Sequence, residues 1–282
     1  TQQQLRKYSL KLQKIQFILI SHLHGDHFFG LPGLLSTMHL LGRNKKLHIF
    51  GPPGLETLMK AMLAAGGHPL QFDITFQTVE PGPKQLIFED RLIAIHAFAL
   101  KHRIPTIGYR IDEKPKLLNL DKEAIKAAGL RIEDLPKLKA GISIERDGKK
   151  YNYKKFTLPA QATYSYAYCS DTKPSPNYLK AIDGVDLLYH EATFTQQHLE
   201  RAKSTFHSTA QQAGQQATNA KCKYLLLGHF SSRYDDTELH LHEARQTHSN
   251  VAAAEDGMHI VLGKWLPIFG NADKTPTPPA QK

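Results

Sequence analysis

Seven residues, Ser21-His22-Leu23-His24-Gly25-Asp26-His27, constrain this chain more than any other stretch. They carry three histidines and a carboxylate, and they follow directly on the apolar run Phe17-Ile18-Leu19-Ile20. An apolar run with no polar break reads as a buried strand, and Gly25 lets the backbone turn sharply just beyond it. The strand therefore ends in a cluster of ligand atoms. Imidazole nitrogens and carboxylate oxygens are preferred ligands of zinc and similar divalent ions. Four such groups this close together can hardly all face one ion, so two neighbouring metals are the natural reading. The chain has 16 histidines, and a lone one is more often a core or surface residue. The His-x-His-x-Asp-His spacing at a strand end is what carries the signal.

After His27, Gly30-Leu31-Pro32-Gly33 leads into Leu34, Leu35, Met38 and Leu41, a spacing that predicts an amphipathic helix. The ligand loop then lies between a strand and a helix. Residues 1–14 predict a short helix and a loop leading to the strand. Further strands are expected at 47–50, 72–79, 85–88, 92–99, 107–111, 162–169, 186–189 and 224–227, with a last one at 259–262. Helices are expected at 55–65, near 196–203, up to 219 and at 237–247. One placement recurs: apolar strands end at His22, at Asp171, at His190 with Glu191, and at His229. In layered α/β proteins, sites assemble where strand ends share an edge. His102 stands in another such loop, just past the 92–99 strand.

At 282 residues the chain can bury a full core as one large domain, or as one domain with an insertion. No stretch approaches the roughly 20 apolar residues of a membrane helix, and no signal peptide stands at the start. A soluble protein without a membrane partner is expected. Cys169 and Cys222 are the only cysteines, too few for a disulfide framework, which favours a reducing, cytoplasmic compartment. The formal charge of +10 points to a polyanionic partner such as nucleic acid. That charge is concentrated, since residues 114–155 hold twelve Lys or Arg against six Asp or Glu. Within them Asp121 can cap a helix that stops at Gly129, and Asp147-Gly148 marks a turn beside Lys149 and Lys150. Residues 114–156 thus read as a protruding basic arm inserted into a discontinuous catalytic domain of residues 1–113 and 157–269. Residues 270–282, with three prolines, read as a flexible tail.

The ordered motifs resemble the metallo-β-lactamase superfamily, and within it the ribonuclease Z family. Ser-His-Leu-His-Gly-Asp-His runs on as Phe28-Phe29-Gly30-Leu31-Pro32-Gly33, and Gly51-Pro52-Pro53-Gly54 follows. Then come His102 with Gly108-Tyr109-Arg110-Ile111, Ser170-Asp171-Thr172, His190-Glu191-Ala192-Thr193, His207-Ser208-Thr209 and Ser231-Ser232-Arg233-Tyr234. The first motif specifies only the superfamily; the later ones specify the branch. The likeness runs from Thr1 to Leu262.

This resemblance implies an α/β metallo-β-lactamase fold, an αββα sandwich of two mixed sheets flanked by helices. It implies that His22, His24 and His102 hold one Zn2+, that Asp26, His27 and His229 hold another, and that Asp171 bridges them. Manganese, cobalt or iron could occupy the same ligands. The activity implied is an endoribonuclease that removes the 3′ trailer of precursor tRNA. A metal-activated hydroxide would attack the phosphodiester, leaving a tRNA 3′-hydroxyl and a 5′-phosphorylated trailer. Asp26 would orient the water or take its proton, and His207, polarised by Glu191, would protonate the leaving oxygen. Ser208, Thr209 and Arg233 are the residues expected to meet the scissile phosphate, while His190 is read as structural. The arm corresponds to a family exosite for tRNA, with Lys137, Lys139, Lys149 and Lys150 as its expected contacts, and the family analogy implies a homodimer. Two departures stand out. The Gly-Pro pair frequent in bacterial family arms is absent, with Glu133-Asp134-Leu135-Pro136 in its neighbourhood. The family also has several strands before the Thr-Gln found here at Thr1-Gln2, so part of the first sheet is expected to be missing, leaving an unpaired edge. The alternative reading is a dinuclear zinc hydrolase of a small phosphodiester or other ester, and the basic segment argues against it.

Overall fold

The apolar run before the histidines does form a strand, but a short one, because the chain must leave the sheet to present its ligands. In the computed structural model, which describes residues 1–66, 70–146, 148–264 and 266–269, this strand is β1 (Phe17–Leu19). It is followed by β2 (Leu47–Gly51), β3 (Ile74–Thr78), β4 (Gln85–Glu89), β5 (Ile93–Ala99) and β6 (Ile107–Glu113). Next come β7 (Ile144–Arg146), β8 (Lys149–Tyr151), β9 (Ser165–Cys169), β10 (Leu187–Glu191), β11 (Tyr224–Gly228) and β12 (Val251–Ala253). One sheet has the order β1-β2-β3 and is parallel throughout. Its central strand β2 is almost wholly buried, as expected of a parallel strand covered on both faces. The helix Gly30–Leu40 covers it with Leu31, Leu34, Leu35 and Met38. These positions fall on one helical face, and each such burial stabilises by about 1.5–3 kcal/mol.

The second sheet has the order β12-β11-β10-β9-β6-β5-β4. Strands β9 to β12 pair in parallel. Three residues join β4 to β5, a connection only an antiparallel pair allows, so this sheet is mixed. The helix Ala210–Asn219 packs on it through alanines and Gly214, where a Cβ would stand 2.7 Å from the Ala244 carbonyl oxygen. Only glycine permits that approach of two helices.

The chain divides into two compact units. The first comprises Thr1–Phe88, Ile95–Ile111 and the described residues from Ser165 on; the second comprises Glu89–Ala94 and Asp112–Tyr164. In the second unit Asp121 caps the helix Lys122–Ala127 by accepting from the Glu123 and Ala124 amides, and Gly129 takes the left-handed conformation at φ +63°. Strands β7 and β8 form an antiparallel hairpin, and Leu138, Ile144 and Phe156 form a small core of their own. The unit extends beyond 114–156 because its entry and exit segments pair. The Leu158 amide donates to the Asn119 carbonyl at 2.8 Å, the Glu113 amide donates to the Tyr164 carbonyl, and the Tyr164 amide donates to Glu113 Oε2.

One expected strand is misplaced. Residues 259–262 are irregular, and the last strand is Val251–Ala253. Two alanines in three residues give little strand propensity, so only pairing with β11 makes a strand there. The expected tail at 270–282 lies outside the described residues.

Opposite the ligand-bearing ends, Asp186 ties three strands. Its carboxylate accepts from the Ser165 amide (2.8 Å) and hydroxyl (2.9 Å) and from Lys223 Nζ (2.6 Å). Burial alone would raise this carboxyl, but the bonds from Lys223 and Ser165 outweigh it and hold the pKa below the usual carboxylate value. A depressed pKa stabilises fully above the unfolded value and is lost as pH falls through the folded one. Asp186→Asn should therefore cost about 1–3 kcal/mol in urea unfolding at neutral pH. Its difference from the parent should shrink below about pH 4, where the unfolded carboxyl protonates.

Candidate active site

Parallel register determines which residues meet. Cys169 lies beside His190 and Glu191 beside Gly228, so Asp171, Glu191 and His229 emerge on one sheet edge. The Ser21–His27 loop joins them because its backbone is held where β1 runs out. The Tyr109 hydroxyl donates to the Ile20 carbonyl (2.7 Å), and the Ile107 amide donates to that of Ser21 (2.9 Å). Beyond that point a single helical turn, Gly25–Phe28, carries Asp26 and His27 where the sequence suggested only a turn. His102 comes from the loop after β5, closed by the Leu100 amide on the Thr106 carbonyl.

Asp171 lies at the centre and is only 3% exposed. Its Oδ2 is 3.6 Å from His22 Nε2 and 3.8 Å from His102 Nε2, while its Oδ1 is 3.3 Å from His229 Nε2 and 3.5 Å from His27 Nε2. His24 Nδ1 completes the first group, 3.1 Å from His22 Nε2 and 3.3 Å from His102 Nε2. Asp26 Oδ2 completes the second, 3.3 Å from His27 Nε2 and 4.0 Å from His229 Nε2. Within each group the donor atoms lie no more than 4.8 Å apart. Each group could hold a divalent cation, and Asp171 offers one oxygen to each. The donors fit such ions, being imidazole nitrogens and carboxylate oxygens only. His27 Nε2 is buried without a hydrogen-bond partner, an orphan that a cation would satisfy.

In four of these histidines the second nitrogen meets a protein partner. His22 Nδ1 meets the Ser21 hydroxyl (3.0 Å), His102 Nδ1 the Phe206 carbonyl (3.0 Å) and His229 Nδ1 the Thr193 hydroxyl (2.8 Å). Ser170 Oγ approaches His27 Nδ1 at 3.5 Å. Such partners fix the tautomer and aim the remaining lone pair. Burial, reinforced by His27, pushes His22 down to about 3, which leaves it neutral with a lone pair to give. Burial would raise Asp171, but the close approach of His27 and the neighbouring imidazoles outweighs it and holds the carboxyl below the usual range.

Beside this cluster, His207 Nδ1 lies 2.8 Å from Glu191 Oε1, with His207 Nε2 4.0 Å from Asp171. Glu191 is fully buried and also accepts from the Thr172 amide, the Thr193 amide and the Thr193 hydroxyl. Burial lowers the His207 pKa, but the Glu191 bond and charge outweigh it and hold the pKa above the usual imidazole value. His190 is fully buried between the Tyr178 hydroxyl and the Glu191 carbonyl and does not face the cluster.

Three expected phosphate contacts behave differently. Ser208 and Thr209 are fully buried. The Ser208 hydroxyl donates to the Thr172 carbonyl, and that of Thr209 caps the helix Ala210–Asn219. Their hydroxyls serve the fold. Arg233 is exposed, and its guanidinium has no partner among the described residues. Next to it, Tyr234 anchors the loop after His229, its hydroxyl bonding the Thr195 amide and His198 Nδ1. The residues missed from sequence are Ser21, Ser170, Thr193 and the Phe206 carbonyl. Thr193 was visible in a motif, but nothing in the pattern marks a hydroxyl as shared between two histidines. In the second unit, Lys137, Lys139, Lys149 and Lys150 are all exposed.

A family profile described as a beta-lactamase superfamily domain matches residues 1–230, which places the chain in that superfamily. Within it, the chain is 42% identical to a ribonuclease Z of Phocaeicola vulgatus over 93% of its own length and 85% of the relative's. It is 41% identical to a ribonuclease Z of Parabacteroides distasonis, over 92% and 86% of the two chains. The crystal structure of the short form of human tRNase Z superposes with a TM-score of 0.63 at 28% identity, covering 93% of this chain and 84% of that one. The chain belongs to the ribonuclease Z family.

Thr193 Oγ1 serves both Glu191 and His229, so Thr193→Val removes one of the bonds to Glu191 and the partner of His229 Nδ1 at nearly constant volume. It should weaken divalent-ion binding by about 10- to 100-fold, read by titration calorimetry of chelator-stripped protein. Thr193→Ser, which keeps the hydroxyl, should bind like the parent.

Proposed function

We propose that this chain is a divalent-metal-dependent endoribonuclease that removes the 3′ trailer from precursor tRNA. One observation carries the reading: a buried carboxylate whose two oxygens face separate histidine groups, with a histidine–glutamate pair beside it. The names of its relatives, ribonuclease Z and tRNase Z, give the substrate.

In this reading His22, His24 and His102 hold one Zn2+, Asp26, His27 and His229 hold the second, and Asp171 is shared. Manganese, cobalt or iron could replace zinc on the same donors. Bound ions would supply Lewis acidity that acidifies water and offsets charge developing on the phosphate. Asp26, whose side chain is 71% exposed, is placed to orient the attacking water or to take its proton. His207, its basicity raised by Glu191, delivers a proton through Nε2 to the departing 3′ oxygen. Glu191 cannot turn away, because four hydrogen bonds hold its two oxygens. Arg233, exposed beyond His229, would meet the phosphate chain. The lysines of the second unit, Lys137, Lys139, Lys149 and Lys150, would hold RNA phosphates. A homodimer belongs to the same reading, supported by exposed Phe29, Leu40 and Leu41. So does a cytoplasmic location, supported by the free, buried state of Cys169 and Cys222. Among the described residues no helix is long and apolar enough to cross a membrane.

The test is cleavage of a 3′-extended precursor tRNA. A single cut near the mature 3′ end should vanish on chelation and return with added zinc or manganese. His207→Ala should slow turnover by about 10²- to 10⁴-fold with metal content retained, whereas Asp26→Ala should lose both turnover and metal. A metal-loaded protein that hydrolyses a small chromogenic phosphodiester but leaves the precursor intact would overturn the RNA assignment.

A further inference from the structure

The second unit contains a concavity of about 640 Å³. Leu117, Leu158 and Tyr153 line it together with Lys116, Lys139 and Lys154, and no carboxylate is among its lining residues. Leu117 is 68% exposed and Leu158 47%, and both line the same concavity.

Charge in this unit is sorted. Glu133 and Asp134 neutralise Arg146, at 3.0 and 2.7 Å, and Glu133 also meets Arg131, while Lys114 pairs with Glu89. Lys116, Lys139 and Lys154 have no acidic partner among the described residues. Several lysines of this unit are uncompensated in this way, and three of them line the concavity beside its apolar residues. A surface meant only for phosphates has no use for exposed leucines, and a purely apolar partner would not sit among free ammonium groups. The complementary ligand is an anion with a flat apolar part. The volume falls in the range of small-molecule sites, roughly 300–1,000 Å³, which suits a single nucleotide and is too confined for a duplex.

We propose that this pocket holds one unstacked nucleotide of the RNA substrate. Its base lies against Tyr153, Leu117 and Leu158, and its flanking phosphates lie on Lys116, Lys139 and Lys154. The proposal rests on the reading of the chain as an RNA-cleaving enzyme and adds a base site to it. Stacking on these side chains accepts any base, because every base has a π-face and the lining offers few directed polar groups.

The experiment measures binding of a single-stranded RNA pentamer, and of an abasic pentamer with the same phosphates, to the full chain by fluorescence anisotropy. Three proteins are compared: the parent, Leu117→Ser/Leu158→Ser and Lys116→Gln/Lys154→Gln. The exposed positions make misfolding an unlikely confounder, and thermal melting checks it. The leucine variant should bind the pentamer on the order of tenfold more weakly with abasic binding unchanged; the lysine variant should lose affinity for both. Equal binding of the two oligomers to the parent, or no effect of the leucine changes, would reduce the pocket to a charged surface and overturn the proposal. An acidic peptide of equal charge that binds more tightly than RNA, and is lost in the leucine variant, would overturn it in favour of a protein partner. Precursor tRNA cleavage by the parent is scored separately. Its absence would sink the catalytic reading, while the pentamer comparison alone judges the pocket.

Discussion

A carboxylate 3% exposed is the constraint on which the ligand-bearing edge depends. Removing a negative charge from water costs several kcal/mol unless partners compensate. For Asp171 those partners are imidazoles from three separate parts of the chain, on both of its oxygens. Their distances, 3.3 to 3.8 Å, exceed those of direct charge-assisted hydrogen bonds, about 2.7–2.9 Å. Nitrogens held slightly too far from an anion, with one ring atom orphaned, have the spacing that ligands keep around a cation. Packing and chemistry therefore share a cause, since whatever holds these side chains apart also prepares them to bind.

The backbone that achieves this is partly strained. His229 adopts φ +57°, and Phe206, whose carbonyl turns His102, adopts φ +61°, both without the freedom of glycine. Such conformations persist only where the surroundings over-determine them. For His229 they do: Gly228 before it has no room for a side chain, since a Cβ would lie 2.2 Å from the Tyr189 hydroxyl. After it, Tyr234 pins the loop. Of the four non-glycine residues with positive φ among the described residues, these two carry or aim an imidazole, while Ser9 and Lys221 lie elsewhere.

Much of this was legible in the sequence, for specific reasons. His22 to His27 declare themselves by spacing alone. Asp171, Glu191 and His229 are readable because buried parallel strands are continuous apolar runs, and a charged residue at the end of such a run breaks the pattern visibly. Thr193, Ser170 and Ser21 were not readable, because a hydroxyl's role depends on what lies across a loop. The Phe206 carbonyl has no sequence signature at all. Ser208 and Thr209 stand next to His207 in sequence, but nothing in the motif shows that their hydroxyls are buried. The apolar run at 259–262 formed no strand, while Val251–Ala253 formed on a partner without propensity.

The division of labour follows from what each set of residues can discriminate. A cluster of histidines and carboxylates that acts on a phosphodiester cannot by itself tell one from another, since every such ester presents similar oxygens. Selection among phosphodiesters must come from groups outside it. In this chain the candidates are sorted physically, with paired charges where the second unit holds itself together and unpaired lysines where it faces solvent. Lysine contacts to phosphate lengthen residence on any polyanion and weaken with salt. Only an apolar surface among them can distinguish a splayed base from a continuous duplex, and it would do so with little dependence on ionic strength. Binding that loses its salt dependence only in part would therefore separate the two contributions within one unit.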